Sequence, residues 1–563
     1  MKVRISIDIV GIRVRIAPSE ASFCEKLPAN RLCFQRFRRN KKETMTKHYR
    51  WIVAATVGTQ IFAASAKSDD TADAIAALKK QIDALSARVQ ELESRQQAGV
   101  QPASAGQPTA ATVPAAAASS SRLSGSFALP DTNTAPPQTA SSNAIPELGF
   151  VTAGSNGFWI RSSDSNFTLR LQGVGQFDGH YYESALPASG QKDTFTIRRL
   201  RLIESGSVFR DYDYYLQEDF GALNSVTTTN NSLLQDAYVN IHYLPEFQIQ
   251  GGKFKEPVGL EIQPADASLW FVERGYPTEL VPNRNVGIEA HGDFFHGALS
   301  YAIGGFNGVA DGGSGDIETG ADDKDVAGRI FAQPFTNTSI APLKGLGLGL
   351  GSSHGFEAGS SLPSFATLGR QTFFSFTNGT SSTTTNAVTE AGDHFRLVPQ
   401  GWYFWGPAGL YWEYADSTEK FNLSRTVAPK NQQAFFDTTA WDISASWYLT
   451  GEQNSLFSPP APLHPFHFNG SGGWGAWQLV ARVGGLSLDP NAFSKKNDYV
   501  TAGSAQNATS WGVGLNWYMN NNIKWIFEYE QTSFGFAPGY SPAKGSVAAQ
   551  DEKVLLARLQ FAF

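Results

Sequence analysis

Apolar and polar residues alternate with a period of two from about Phe158 to Phe563, in about sixteen segments of about ten residues set off by turn signals. Phe167, Leu169 and Leu171 oppose Arg170 and Gln172. Ala237, Val239, Ile241 and Tyr243 oppose Asp236, Asn240 and His242. Trp441, Ile443, Ala445, Trp447 and Leu449 oppose Asp442, Ser444 and Ser446, and the stretches 511–519 and 522–530 repeat the pattern. The last strand carries Leu555, Ala557, Leu559, Phe561 and Phe563 on one face, with Arg558 and Gln560 on the other. An apolar outer face, a polar inner one and a terminal aromatic residue predict an all-β fold, an antiparallel transmembrane barrel of about 16 strands over 158–563. A soluble sandwich alternates too. The tryptophans, suited to interfacial belts, and an export signal favour the membrane. A barrel of this size is expected to enclose an aqueous channel.

Ahead of the barrel the period changes. Ile75, Leu78, Ile82, Leu85, Val89 and Leu92 are spaced three, four, three, four, three, an a/d seam that predicts a short coiled coil within 67–97. The seam implies self-association without fixing the number of strands. Residues 98–157 are rich in Ala, Ser, Thr and Pro and bury too little to order themselves, so they read as a linker. The coiled coil is expected in the periplasm.

The first residues read as targeting. From Met45 the chain has a charged start, an apolar run from Trp51 to Ala64 and the small residues Ala64, Ser65 and Ala66. That pattern predicts a signal peptide over 45–66, with 1–44 expected to be an extension from a mis-assigned start. Both cysteines, Cys24 and Cys33, precede Met45, so the exported chain has neither a disulfide nor a thiol nucleophile. Residues 67–563 hold 32 Lys and Arg against 47 Asp and Glu, a net charge of −15, which excludes nucleic acid as a partner. No apolar run of 18 or more residues is present, so spanning helices are excluded.

Long polar stretches at about 310–325, 356–391, 452–472 and 488–508 read as external or lumen-folded loops. The first holds Asp311, Asp316, Glu318, Asp322, Asp323 and Asp325, oxygen ligands of the kind calcium takes but without the spacing of a known calcium loop, and reads as a solvated external loop. His464 and His467 have no carboxylate or cysteine pairing that would make a zinc site. No nucleophile, base and orienter cluster is visible, so no enzyme, cofactor or metal is expected.

Six pieces in order carry a family resemblance: F-T-I-R-R-L-R-L (195–202), D-Y-D-Y-Y-L-Q-E-D-F (211–220), L-Q-D-A-Y-V (234–239), G-G-K-F-K-E-P-V-G-L-E (251–261), F-V-E-R (271–274) and L-V-P-N-R-N-V-G (280–287). Together they resemble the phosphate-selective porin O and P family over most of the barrel's first half. The resemblance implies a 16-stranded barrel, a homotrimer in outer-membrane lipid, and passive diffusion of small anions such as phosphate or polyphosphate. It also implies a loop folded into the pore after G-L-E. Phosphate-selective members carry a lysine directly after that motif, a serine pair, and an arginine after the later glutamate. Here Arg274 stands, while Ile262 occupies the lysine position and Ala265 and Asp266 the serine pair.

An anion entering a pore exchanges water for fixed donors, which arginine and lysine supply. Arg199 and Arg201 share one strand face and are the expected lumen donors, with Arg198 on the other face and Phe195 and Ile197 on theirs. Lys253, Lys255, Arg274 and Arg284 complete the expected pore-lining set. Two other roles fit the same pattern: a general, non-selective porin, or a structural tether from the outer membrane to a periplasmic layer.

Overall fold

The computed structural model describes residues 149–184, 193–221, 233–315, 324–357, 362–377, 386–425, 431–470, 472–493, 499–538 and 551–563. The expected signal peptide, the coiled coil over 67–97 and nearly all of the linker lie outside the described residues.

A hairpin of β1 (Phe150–Gly154) and β2 (Gly157–Arg161) leads into the wall and extends the start of β3 (Phe167–Ser184). The wall continues through β4 (Thr194–Val208), β5 (Tyr212–Asp219), β6 (Leu234–Leu244), β7 (Phe247–Lys255), β8 (Arg284–Phe294), β9 (Leu299–Asn307), β10 (Lys324–Ala332) and β11 (Leu346–Glu357). A small hairpin of β12 (Ser364–Ala366) and β13 (Thr372–Ser375) interrupts it. Then follow β14 (Asn386–Trp405), β15 (Ala408–Arg425), β16 (Asn431–Tyr448), β17 (Ala476–Ser487), β18 (Asn507–Tyr518), β19 (Ile523–Gly535) and β20 (Glu552–Ala562). Each barrel strand pairs antiparallel with the next, and β20 pairs with β3, so the sheet of 18 strands is a closed barrel of 16 with the leading hairpin attached. Closure leaves the 16 strands of the barrel without a free edge, which a lipid-exposed sheet requires. At the seam the amide of Phe563 donates to Gly173 at 3.0 Å, and the Phe563 ring meets Phe158 edge-on at 5.9 Å.

The barrel is apolar outside and polar inside, the reverse of a soluble sandwich. Leu555, Phe561, Trp447, Val513 and Phe527 are exposed on the outer face, while Gln176, Arg558, Gln478, Asn516 and Glu530 on the alternate positions are fully buried inside.

In β4 the alternation slips at a decisive place. Gln176 pairs with Arg199 and Phe177 pairs with Ile197, which leaves Arg198 as an extra residue in β4. This bulge reverses the phase of the strand, so Phe195 and Ile197 face outward while Arg199 and Arg201 are buried inside. Strict alternation puts Arg198 on the outer face; the bulge turns it toward the interior, where it meets Glu273.

Much of the lumen is packed rather than open, against the expectation of a simple aqueous channel. The segment 362–377 and residues 488–493 and 499–505 fold inward at the long-loop end. Phe365, Phe374, Phe376, Phe493 and Tyr499 pack there with Phe421 and Phe436 of the wall. The connection between β16 and β17, 449–475, departs from the rule of tight turns, because it lies at the turn end and is long. It sends Leu456 inward against Trp270 and Tyr411.

Candidate functional site: a segment clasped across the lumen

Between β7 and β8 the chain leaves the wall and crosses the interior as residues 256–283. Its backbone polar groups would be costly to bury unpaired, so the route depends on side chains of the far wall that satisfy them. Glu413 of β15 accepts from the amides of Leu260 at 2.7 Å and Glu261 at 3.0 Å. Gln400 donates to the Val258 carbonyl, Asn516 to Trp270 and Lys524 to Leu269, and Gln560 and Gln176 donate to Ala267 and Asp266. Glu528 accepts from Val272, Arg482 donates to the Glu273 carbonyl, and the Tyr276 hydroxyl lies 2.6 Å from Ser510 Oγ. The fastenings run from β14 round to β3, so the segment is held against one arc of the wall.

The segment carries two carboxylates that gather arginines. Asp266 lies on a short 3-10 turn, Asp266–Ser268, and meets Arg199 at 3.3 Å, Arg274 at 2.5 Å and Arg201, which also pairs with Asp219 at 2.8 Å. Glu273 is held by Arg198 through Nε at 2.7 Å and Nη2 at 3.1 Å, and lies 3.5 Å from Arg370. Burial opposes the charge of Asp266, but Arg199, Arg201 and Arg274 outweigh it and hold the carboxyl well below the usual range. At Glu273 burial is likewise outweighed, first by Arg198 and then by Arg370.

On the other side of the segment, between it and β3–β10, space remains. One cavity of 320 Å³ is lined by Arg201, Asp236, Lys255, Asp266, Arg284 and Glu289 among others. A second, of 160 Å³, shares Lys255, Gln263 and Glu289 with it and continues past His291 and Arg329. Arg284 is matched by Asp236 at 2.9 Å. Lys255 Nζ instead donates to the carbonyls of Gln263 at 3.1 Å and Pro264 at 2.6 Å. Arg329 Nε donates to Gln400 at 2.8 Å, its guanidinium stacks over Phe331 at 4.7 Å, and its Nη2 is buried without a partner.

Of the six residues expected to line the pore, Arg199, Arg201 and Arg274 converge on one carboxylate, and Arg284 on another. Lys255 stands at the junction of the two cavities. Lys253 pairs in register with Ala237 and Val286 and donates to the Leu234 carbonyl at 2.7 Å, and lines neither cavity. Sequence reasoning missed Arg329, whose neighbours along β10 carry no motif. It also missed Glu413, whose role as an amide acceptor appears only once the segment has crossed.

A family profile described as phosphate-selective porin O and P matches residues 169–563, well beyond the first half in which the motifs are recognisable. The chain belongs to the phosphate-selective porin O and P family. It is an outer-membrane channel, and the apolar outer face of its barrel is the surface that meets lipid. The porin is similar to an anion-selective porin from Comamonas acidovorans, at 12% identity and a TM-score of 0.41, over 70% of this chain and 100% of that one. It is similar also to the outer membrane channel DcaP of Acinetobacter baumannii, at 11% identity and a TM-score of 0.43, over 71% of this chain and 99% of that one. The corresponding figures for OmpT of Vibrio cholerae are 10%, 0.42, 71% and 98%. No curated protein sequence matches the porin.

Proposed function

We propose that this porin conducts small anions, phosphate among them, by passive diffusion through the gap between the crossing segment and the β3–β10 wall, and that it binds them weakly. The observation that carries this reading is the pair Lys255 and Arg329. Among the described residues they are the two cationic side chains at the cavities that no carboxylate pairs, and they flank the smaller one. A cation whose charge is not matched by a neighbour attracts a passing anion more strongly than one already in an ion pair. Weak binding follows from Asp266, which takes the donors of Arg199, Arg201 and Arg274 that would otherwise turn to a ligand. Assembly as a homotrimer, with the coiled coil of 67–97 in the periplasm, belongs to the same reading and is carried by the family resemblance.

The test is the reversal potential of the purified porin in a planar bilayer under a KCl gradient, followed by addition of phosphate. Anion preference with little block by phosphate is expected, and K255A and R329Q should each move the reversal potential toward zero. Cation preference, or a potential indifferent to both substitutions, would sink the proposal.

A further inference from the structure

At the long-loop end of the barrel, away from both cavities, buried carboxylates of the described residues crowd together. Asp311 and Asp325, expected in a solvated loop, are instead buried with Glu357 of β11, Glu390 of β14 and Glu419 of β15. Among the described residues, Arg396 and His394, both 1% exposed, face four of these carboxylates, Asp311, Asp325, Glu357 and Glu419. Arg396 meets Asp311 at 2.7 Å, Glu357 at 3.3 Å and Asp325 at 3.4 Å. His394 lies 3.0 Å from Glu357 and 3.2 Å from Asp311, with Ser417 Oγ at 2.8 Å. Even with the imidazole charged, these four carboxylates outnumber the two cations that face them among the described residues.

The surplus is localised. Oε2 of Glu357 and Oε1 of Glu419 accept no hydrogen bond although both side chains are almost wholly buried. Glu357, Glu390 and Glu419 each present a carboxylate oxygen, and these oxygens lie within 4.8 Å of one another. Three adjacent strands bring them together. Glu357 pairs with Gly392, and a break in register between Glu390 and His394 opposite β15 crowds those two side chains toward Glu419. Buried acceptors gathered this closely repel one another unless a cation or protons join them.

We propose that Glu357, Glu390 and Glu419 form a calcium site that ties β11, β14 and β15 together at the outer rim of the barrel. The donor set is carboxylate oxygen throughout, which suits a hard cation, and three carboxylates can turn mono- or bidentate to fill calcium's flexible sphere. Magnesium keeps its waters and demands an octahedron, so it is the poorer fit for a dry pocket. His394 and Arg396 are engaged with Asp311 and the far oxygen of Glu357, and act as the outer groups that orient the ligands.

The experiment uses the full porin purified in detergent, stripped with EDTA and dialysed, titrated with calcium chloride by calorimetry and followed by thermal unfolding. About one calcium per chain should bind, with magnesium at least about tenfold weaker, and calcium should raise the unfolding midpoint. In the E357Q/E419Q variant the binding and the calcium-dependent shift should vanish. If that variant does not fold, E419Q alone should weaken binding at least about tenfold in the same titration. Absence of calcium binding to the stripped porin would overturn the proposal and leave protons as the balancing charge. Binding that survives both substitutions would overturn it too, by placing the ion elsewhere.

Discussion

Arg558 and Asp178 face each other across the seam at which the barrel closes, with Nε and Nη2 each 2.7 Å from a different carboxylate oxygen and both side chains wholly buried. They are directly opposed in the register of β20 and β3, so the two ends of the barrel meet through a two-pronged ion pair. Removing one partner strands the other charge in the interior. We expect R558A or D178A to cost about 3–5 kcal/mol, and a double apolar replacement to cost less than either alone. The heat-modifiable shift of the folded band on gels reads this directly. Equal losses in all three variants would show that the pair does not hold the seam.

Neutralising Asp266 should change what the pore prefers. D266N removes the charge that Arg199, Arg201 and Arg274 share. Reversal potential should move further toward anions, and phosphate should begin to block. Acid should not reproduce the effect under mild conditions. The folded carboxyl titrates well below its ordinary value of 3.8, so its stabilising contribution is complete above that value and is lost only as the pH falls through the depressed one. A D266N porin that keeps the wild-type reversal potential would remove the clasp from the account of selectivity.

Loosening the crossing segment should be visible as noise. Glu413 alone satisfies the amides of Leu260 and Glu261, and E413A leaves both unpaired at a cost of about 1–3 kcal/mol each. Single-channel records of E413A should flicker, with larger and more variable conductance. A quiet trace of wild-type amplitude would mean that the remaining fastenings suffice.

Gly252 allows the chain to turn into β7's last residues. Its φ is +134°, and a Cβ there would run into the Ala237 carbonyl of β6. G252A should therefore disturb the β6–β7 pairing next to Lys253 and lower folding yield. Refolding in detergent, scored by the fraction of heat-modifiable protein, measures it, and a wild-type yield would contradict the argument.

The wall of the barrel was legible because lipid imposes a rule on every second residue. Leu555 through Phe561, and Trp441 through Leu449, obey it and lie outside. The β4 arginines broke the rule for a local reason. One additional residue, Arg198, reverses the phase, and nothing in F-T-I-R-R-L-R-L marks which residue is the extra one. Asp266 stood out as a carboxylate in place of a serine. Its partners did not, since Arg199 and Arg201 reach it from another strand and only the crossing path brings them together. The apolar packing inside the lumen was hidden for the opposite reason. Phe365, Phe374 and Phe376 sit in a polar stretch, and their depth depends on where the loop goes.

Because the crossing segment is fastened from Gln400 round to Gln176 and stands clear of β3–β10 only where the cavities lie, the circumference is divided between two tasks. One arc is a bearing wall and the other a sieve. A porin built this way can alter what it passes through residues of the sieve while its mechanical frame stays intact. A saturating mutational map should show the boundary, with defects in assembly clustering on β14–β20 and defects in permeation on β5–β10. The narrow zone at β3 and β4, where Arg199 and Arg201 serve both, is where the two kinds of defect should coincide.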